Sequence, residues 1–339
     1  MDTITIRRPD DWHVHLREGE LMPHMARLTA AQFARATVMP NTLHPPIRTA
    51  ADALAYRQKI EAATRGMDFT PIMTTKLYPT TTVAMIKGAW ETGVRAAKLY
   101  PEGVTTHSED GISLENIFNM YQVFQAMERC GMLLLLHGEA PGHFCLDREV
   151  VFLNTLTQLV HDFPRLKIVL EHITTQEAVS AVLSLPYTVA ATITLHHLEL
   201  TLDDVVGDKI KPHNFCKPIA KRPEDRQAIL GAALSGSPQF FFGSDSAPHP
   251  VGAKECAEGC AGVFTAPVVM PRLVEIFERH RALDRLEDFV AHLGADFYGL
   301  PLNGGMLVLV REPWVVPTEY HGVRPYLAGQ TLAWQVKKQ

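Results

Sequence analysis

Asp11-Trp12-His13-Val14-His15-Leu16-Arg17 carries two histidines one residue apart, followed by an arginine. In an extended segment, side chains two positions apart project the same way at roughly 6 to 7 Å, so His13 and His15 can take hold of one metal ion from one side. The chemistry this offers is metal-assisted hydrolysis. In a chain with 16 histidines the pair says little by itself. Its weight comes from Lys98, His137, His172 and Asp245, each at the end of an apolar run: Ala-Ala-Lys-Leu, Leu-Leu-Leu-Leu-His, Ile-Val-Leu-Glu-His and Phe-Phe-Gly-Ser-Asp. Lys98 is the oddest of them. A lysine between Ala97 and Leu99 turns either to solvent or into an interior, where an ammonium is costly unless paired or chemically altered. Arg17, two residues beyond His15 and expected on the same strand face, can present its guanidinium fork to a carboxylate.

These residues need a scaffold that brings the ends of distant strands to one place. Short apolar runs alternate with longer amphipathic segments along the chain, the rhythm of successive βα units. Strands are expected near Asp11–His15, Thr37–Pro40, Phe69–Thr74, Ala96–Leu99, Leu133–His137, Lys167–Glu171, Thr188–Thr194 and Phe240–Ser244. Helices are expected over Ala50–Thr64, Thr80–Glu91, Leu114–Arg129, Glu149–Phe163, Thr175–Ser184, Pro223–Leu234 and Ala266–Arg279. Eight strands with helical crossovers predict an α/β fold, a (β/α)8 barrel, with a metal site at the C-terminal ends of the strands. A doubly wound sheet would carry a glycine-rich phosphate turn, and no GxGxxG or GxxxxGK[ST] occurs. After Leu300 a Gly- and Pro-punctuated tail, about 301–339, is expected to pack on the barrel, so that 1–339 form one domain.

Composition narrows the partners. A hydrophobic fraction of 46% permits a large core, while a net charge of -5 with scattered charges gives no basic stripe for nucleic acid. The opening MDTITIRRPDD lacks the apolar stretch of a signal peptide, and no 18 apolar residues run together. A cytoplasmic enzyme acting on a small molecule, bound neither to membrane nor to nucleic acid, is the expectation. Five widely spaced cysteines, Cys256 and Cys260 included, read as free thiols.

HVHLR (13–17), MPNT (39–42), KLYPEGVTT (98–106), LHGE (136–139), LEHIT (170–174) and GSDSAPH (243–249) together resemble the amidohydrolase superfamily, and within it the branch that opens carboxylated cyclic amides. The resemblance runs from Trp12 to about Gly262. It implies two zinc ions per chain, His13, His15 and Asp245 on the buried one and His137 and His172 on the other, with Lys98 carboxylated at Nζ to bridge them. It further implies that Arg17, Asn41 and His249 hold the substrate carboxylate and a pyrimidine ring, that Thr105 and Thr106 lie on a mobile loop, that Ala261 and Gly262 offer backbone groups, and that the protein is a homodimer. Two zinc ions against a lysine carbamate, an aspartate and a bridging hydroxide leave a net charge of about +1, enough to polarise a carbonyl. The hydroxide would act as nucleophile and Asp245 as the general acid and base. At Asn214-Phe-Cys-Lys-Pro-Ile the family pattern has an apolar residue before the proline where this chain has Lys217, whose ammonium would alter affinity for an acid if it points inward. A hydantoinase- or allantoinase-type enzyme would share the metal residues, a mononuclear deaminase would not need Lys98, and a non-catalytic scaffold would show gaps in the donor set.

Overall fold

The computed structural model describes residues 2–42, 46–105 and 108–337. Strands β1 (Thr3–Arg7) and β10 (Met306–Val310) lie outside the barrel, which is built from β2 (Asp10–Val14), β3 (Arg35–Val38), β4 (Thr70–Lys76), β5 (Ala96–Leu99), β6 (Leu133–His137), β7 (Ile168–Glu171), β8 (Val189–Ile193) and β9 (Phe240–Phe242). These eight pair in parallel in sequence order, and helices fill the crossovers, as in the barrel expected from the sequence. Threonines start several of these helices: the hydroxyls of Thr49, Thr82 and Thr175 accept the backbone N–H of the third helical residue.

Register places the polar residues. Lys98 pairs with Leu135 and His137 with Glu171, so the inward-facing side chains stack in layers. Ala96, Leu133, Leu135, Val169, Ala190 and Phe241 form the apolar floor together with Trp12, and Lys98, His137, Glu171 and Thr192 stand two residues further along their strands. The floor is sealed from below by the helix Leu293–Tyr298, whose Tyr298 stacks on Trp12 at 4.1 Å between ring centres.

The barrel closes between its last and first strands without a regular ladder. The Asp245 N–H donates to His13 O at 2.8 Å, the His15 N–H donates to Ser246 O at 3.1 Å, and the Asp11 carboxylate accepts from the Ser244 N–H at 2.8 Å and from its hydroxyl. Pairing of β2 with β3 also slips between Asp11 and Val14, an irregularity that re-aims side chains at a strand end.

Several boundaries differ from the sequence reading. Phe240–Ser244 ends as a strand at Phe242, because Ser244 gives its N–H to a side chain instead of a neighbouring strand. The expected helix Leu114–Arg129 is a 3-10 turn over Leu114–Met120 followed by an α-helix over Tyr121–Cys130, with a break at Asn116 (φ -111°). The tail contributes β10, which lies antiparallel between β1 and β11 (Gln335–Val336), and Trp334, which is fully buried. Among the described residues no helix is long and apolar enough to cross a membrane.

Candidate metal centre and active site

All six predicted donors meet at the C-terminal mouth of the barrel. The Nε2 atoms of His13 and His15 lie 3.3 Å apart, and both face Asp245 Oδ1, at 3.3 and 3.1 Å. The His172 ring stands 5.0 Å from that of His13 and 4.8 Å from that of His137. His172 follows β7 directly and Asp245 comes three residues after the end of β9, and both take left-handed backbone angles, φ 44° and 42°. Strain of this kind in non-glycine residues persists where surrounding structure dictates it. Lys98 completes the group from β5: it is wholly buried, and its Nζ has no hydrogen-bond partner.

Burial sets the protonation states. It lowers His15 to about 4 and depresses His137 and His172 as well, so these imidazoles are neutral donors at physiological pH. Burial also lowers Lys98 to about 8, with Glu171 and Asp245 pulling the other way. A lysine held there is partly free amine, the form that adds carbon dioxide. Four imidazoles, one carboxylate and an unpartnered amine, with His172 Nδ1 also lacking a partner, fit a zinc-class pair of cations when the amine is converted to an anion.

Three acceptors hold the imidazoles from behind. Glu171 bonds His13 Nδ1 and takes the Thr192 hydroxyl at 2.9 Å; Glu139 Oε2 lies 2.8 Å from His137 Nε2; Asn41 Oδ1 lies 2.7 Å from His15 Nδ1. Partners of this kind fix ring orientation and tautomer. Sequence reasoning missed Glu171 and Glu139, although each belongs to a quoted motif, LEH or HGE, and Glu171 falls two residues after inward-facing Val169, where strand periodicity points it at the centre.

One pocket opens above the donors, lined by Arg17, Asn41, Tyr100, Thr105, Lys217, Asp245, Ala247, Ala261 and Gly262 together with the four histidines His13, His15, His137 and His172. His249 reaches it through Arg17, whose Nη2 lies 2.8 Å from His249 Nε2 while its Nε donates to Pro248 O at 2.7 Å. The route by which Arg17 arrives differs from the expected strand face. Strand β2 stops at Val14, and Arg17 lies in the loop beyond it with φ 65°, its carbonyl accepting the Tyr56 hydroxyl. Gly262 must be glycine: a Cβ there would stand 2.5 Å from Ala247 O and 3.0 Å from the His249 ring, at φ +148°. Thr105 donates its N–H to Ser108 Oγ at 2.9 Å, and Thr106 lies outside the described residues.

Comparison with known proteins places this geometry. Residues 9–305 match the amidohydrolase family. The chain is 48% identical to a dihydroorotase of Teredinibacter turnerae over 99% of both chains. The chain belongs to the dihydroorotases of the amidohydrolase family. Among solved structures it is similar to the dihydroorotase of Campylobacter jejuni (39% identity, TM-score 0.92, 99% of this chain and 98% of that one). It is also similar to that of Saccharomyces cerevisiae in complex with 5-fluoroorotic acid (35% identity, TM-score 0.93, 99% of each chain). Full-length coverage extends the likeness beyond the motif region to the tail that carries β10 and Trp334.

Proposed function

We propose that the chain catalyses the reversible interconversion of N-carbamoyl-L-aspartate and L-dihydroorotate, a step in the making of pyrimidines. The observation that carries this reading is the convergence of six donors beneath a pocket whose wall presents Arg17, which His249 contacts from behind. His13, His15 and Asp245 would hold one zinc ion, His137 and His172 a second, and carboxylated Lys98 would bridge them. When bound, such a pair polarises the ring carbonyl and supplies the hydrolytic water in reactive form.

The chain's own residues do the rest. Arg17 turns its remaining N–H groups to the substrate carboxylate, and its contacts to Pro248 O and His249 keep the guanidinium in place. Asn41 and His249 complete the carboxylate and ring contacts, Ala261 and Gly262 offer backbone groups to the ring, and Lys217 adds positive charge at the rim. Asp245 takes a proton from the attacking water and returns it to the departing ring nitrogen. Thr105 and Thr106 close the 101–111 loop over the substrate. The enzyme works as a cytoplasmic homodimer with residues 1–339 in one domain. Hydantoinase- or allantoinase-type chemistry would use the same donors but has no need of a carboxylate-reading arginine.

The test is elemental analysis on the same sample as a spectrophotometric assay of the interconversion. Two metal ions per chain with turnover support the reading, and Lys98→Ala then loses both. Two ions without turnover transfer the site to hydantoins and allantoin; a chain that binds no metal after reloading, or a Lys98→Ala variant with two ions and full activity, defeats it.

A further inference from the structure

Beside the barrel mouth lies a second group of metal-competent side chains that the hydrolytic chemistry does not use. His196 and His197 sit on a 3-10 turn, His196–Leu198, just after β8, and Cys216 precedes the pocket-lining Lys217. All three are buried, His196 and Cys216 at 0% and 1% exposure. One donor atom from each lies within 4.8 Å of the other two. Tetrahedral zinc with bonds of roughly 2.0 to 2.3 Å holds its donors somewhat closer than that, within reach of small side-chain rotations.

Two details distinguish this cluster from ordinary core packing. Both ring nitrogens of His196 are buried without a hydrogen-bond partner, a condition that leaves a polar group desolvated and unsatisfied. The ring of His197, in contrast, is already aimed. Thr194 Oγ1 lies 2.9 Å from its Nδ1, and its Nε2 faces Cys216 Sγ at 3.4 Å, sharing that side with Pro218 O at 3.1 Å. A ligating imidazole is commonly held through its other nitrogen in this way.

We propose that His196, His197 and Cys216 form a further cation site, separate from the six-donor centre and selective for a thiolate-seeking ion of the zinc class. Two neutral imidazoles and one thiolate are a soft donor set, and binding displaces the thiol proton to solvent. The ion would tie the turn after β8 to the segment that carries Lys217, bracing one wall of the pocket.

The centre itself contains no cysteine, which gives a clean readout. Holoenzyme reconstituted with cobalt(II) is expected to show a near-ultraviolet thiolate-to-cobalt charge-transfer band and one equivalent of metal beyond the pair proposed for the centre. Cys216→Ser and His196→Gln are each expected to remove the band and that one equivalent while leaving the rest of the bound metal. Wild-type protein with no such band at full loading overturns the proposal without recourse to any variant. A band that survives Cys216→Ser also overturns it, since the thiolate would then belong to another cysteine. Loss of the pair at the centre with the band intact would instead count against the hydrolytic reading alone.

Discussion

Arg17 offers the sharpest test of how the pocket recognises its substrate. Of its five N–H donors, the Nε–H is engaged by Pro248 O and one N–H of Nη2 by His249, so three remain, enough for two bonds to a carboxylate. Each charge-assisted hydrogen bond contributes about 1.5 to 3 kcal/mol, and two together about 3 to 6. At 1.36 kcal/mol per decade, Arg17→Ala should weaken binding of orotate, a planar acid of the same outline, by about 10² to 10⁴-fold. The loss should appear in a calorimetric titration of the metal-loaded protein with its metal content unchanged. Acetohydroxamate, which addresses bound cations and carries no carboxylate, should bind almost as before. Arg17→Lys keeps the charge but not the fork and should fall between the two. Equal losses for orotate and acetohydroxamate would mean that the substitution damages the centre itself; undiminished orotate binding would mean that Arg17 does not read the carboxylate.

Other substitutions probe the supports. Glu171→Gln removes the anion behind His13 and should weaken metal binding by about 10 to 100-fold in chelator competition, and unchanged competition would deny Glu171 this part. Burial raises Glu149, which accepts the Thr174 N–H and the Thr175 hydroxyl, to about 7. The folded protein therefore keeps a proton that the unfolded chain releases near 4.5, and stability attributable to this group falls as pH rises across that window, by up to about 3 kcal/mol in all. Urea unfolding of Glu149→Gln should lack this decline; a variant that parallels the wild type at every pH would contradict it. Gly294→Ala would put a Cβ 2.0 Å from Trp12 Nε1 and should lower unfolding stability by about 1 to 3 kcal/mol, whereas a neutral result would mean that the floor yields without strain.

The parts of this fold that sequence reveals are those governed by short-range periodicity. Ala96–Leu99 and Leu133–His137 occur at the boundaries expected, because both faces of each strand are buried and the runs end sharply. Positions beyond a strand end are another matter. Alternation cannot foresee that Arg17 turns through φ 65°, since that conformation is imposed by contacts with Tyr56, Pro248 and His249 from elsewhere in the chain. Thr3–Arg7 alternates visibly, yet its partner β10 comes near the other end of the sequence, and no local rule links the two. The six residues that meet at the barrel mouth were legible by type and position; periodicity aims Glu171 at the centre as well, but which rings Glu171 and Glu139 steady emerges only in the folded barrel.

The irregular join between β9 and β2 has a thermodynamic meaning. Two backbone hydrogen bonds and one carboxylate span it, and directly above it stand His13 and His15 from one side and Asp245 from the other. A cation shared by those three would act as a rivet across the weakest line of the cylinder, so that occupancy and cohesion rise and fall together. Without such a cation, the protein should open there first, with the amides of His15 and Asp245 exchanging with solvent well before those of the continuous ladder from β5 to β7.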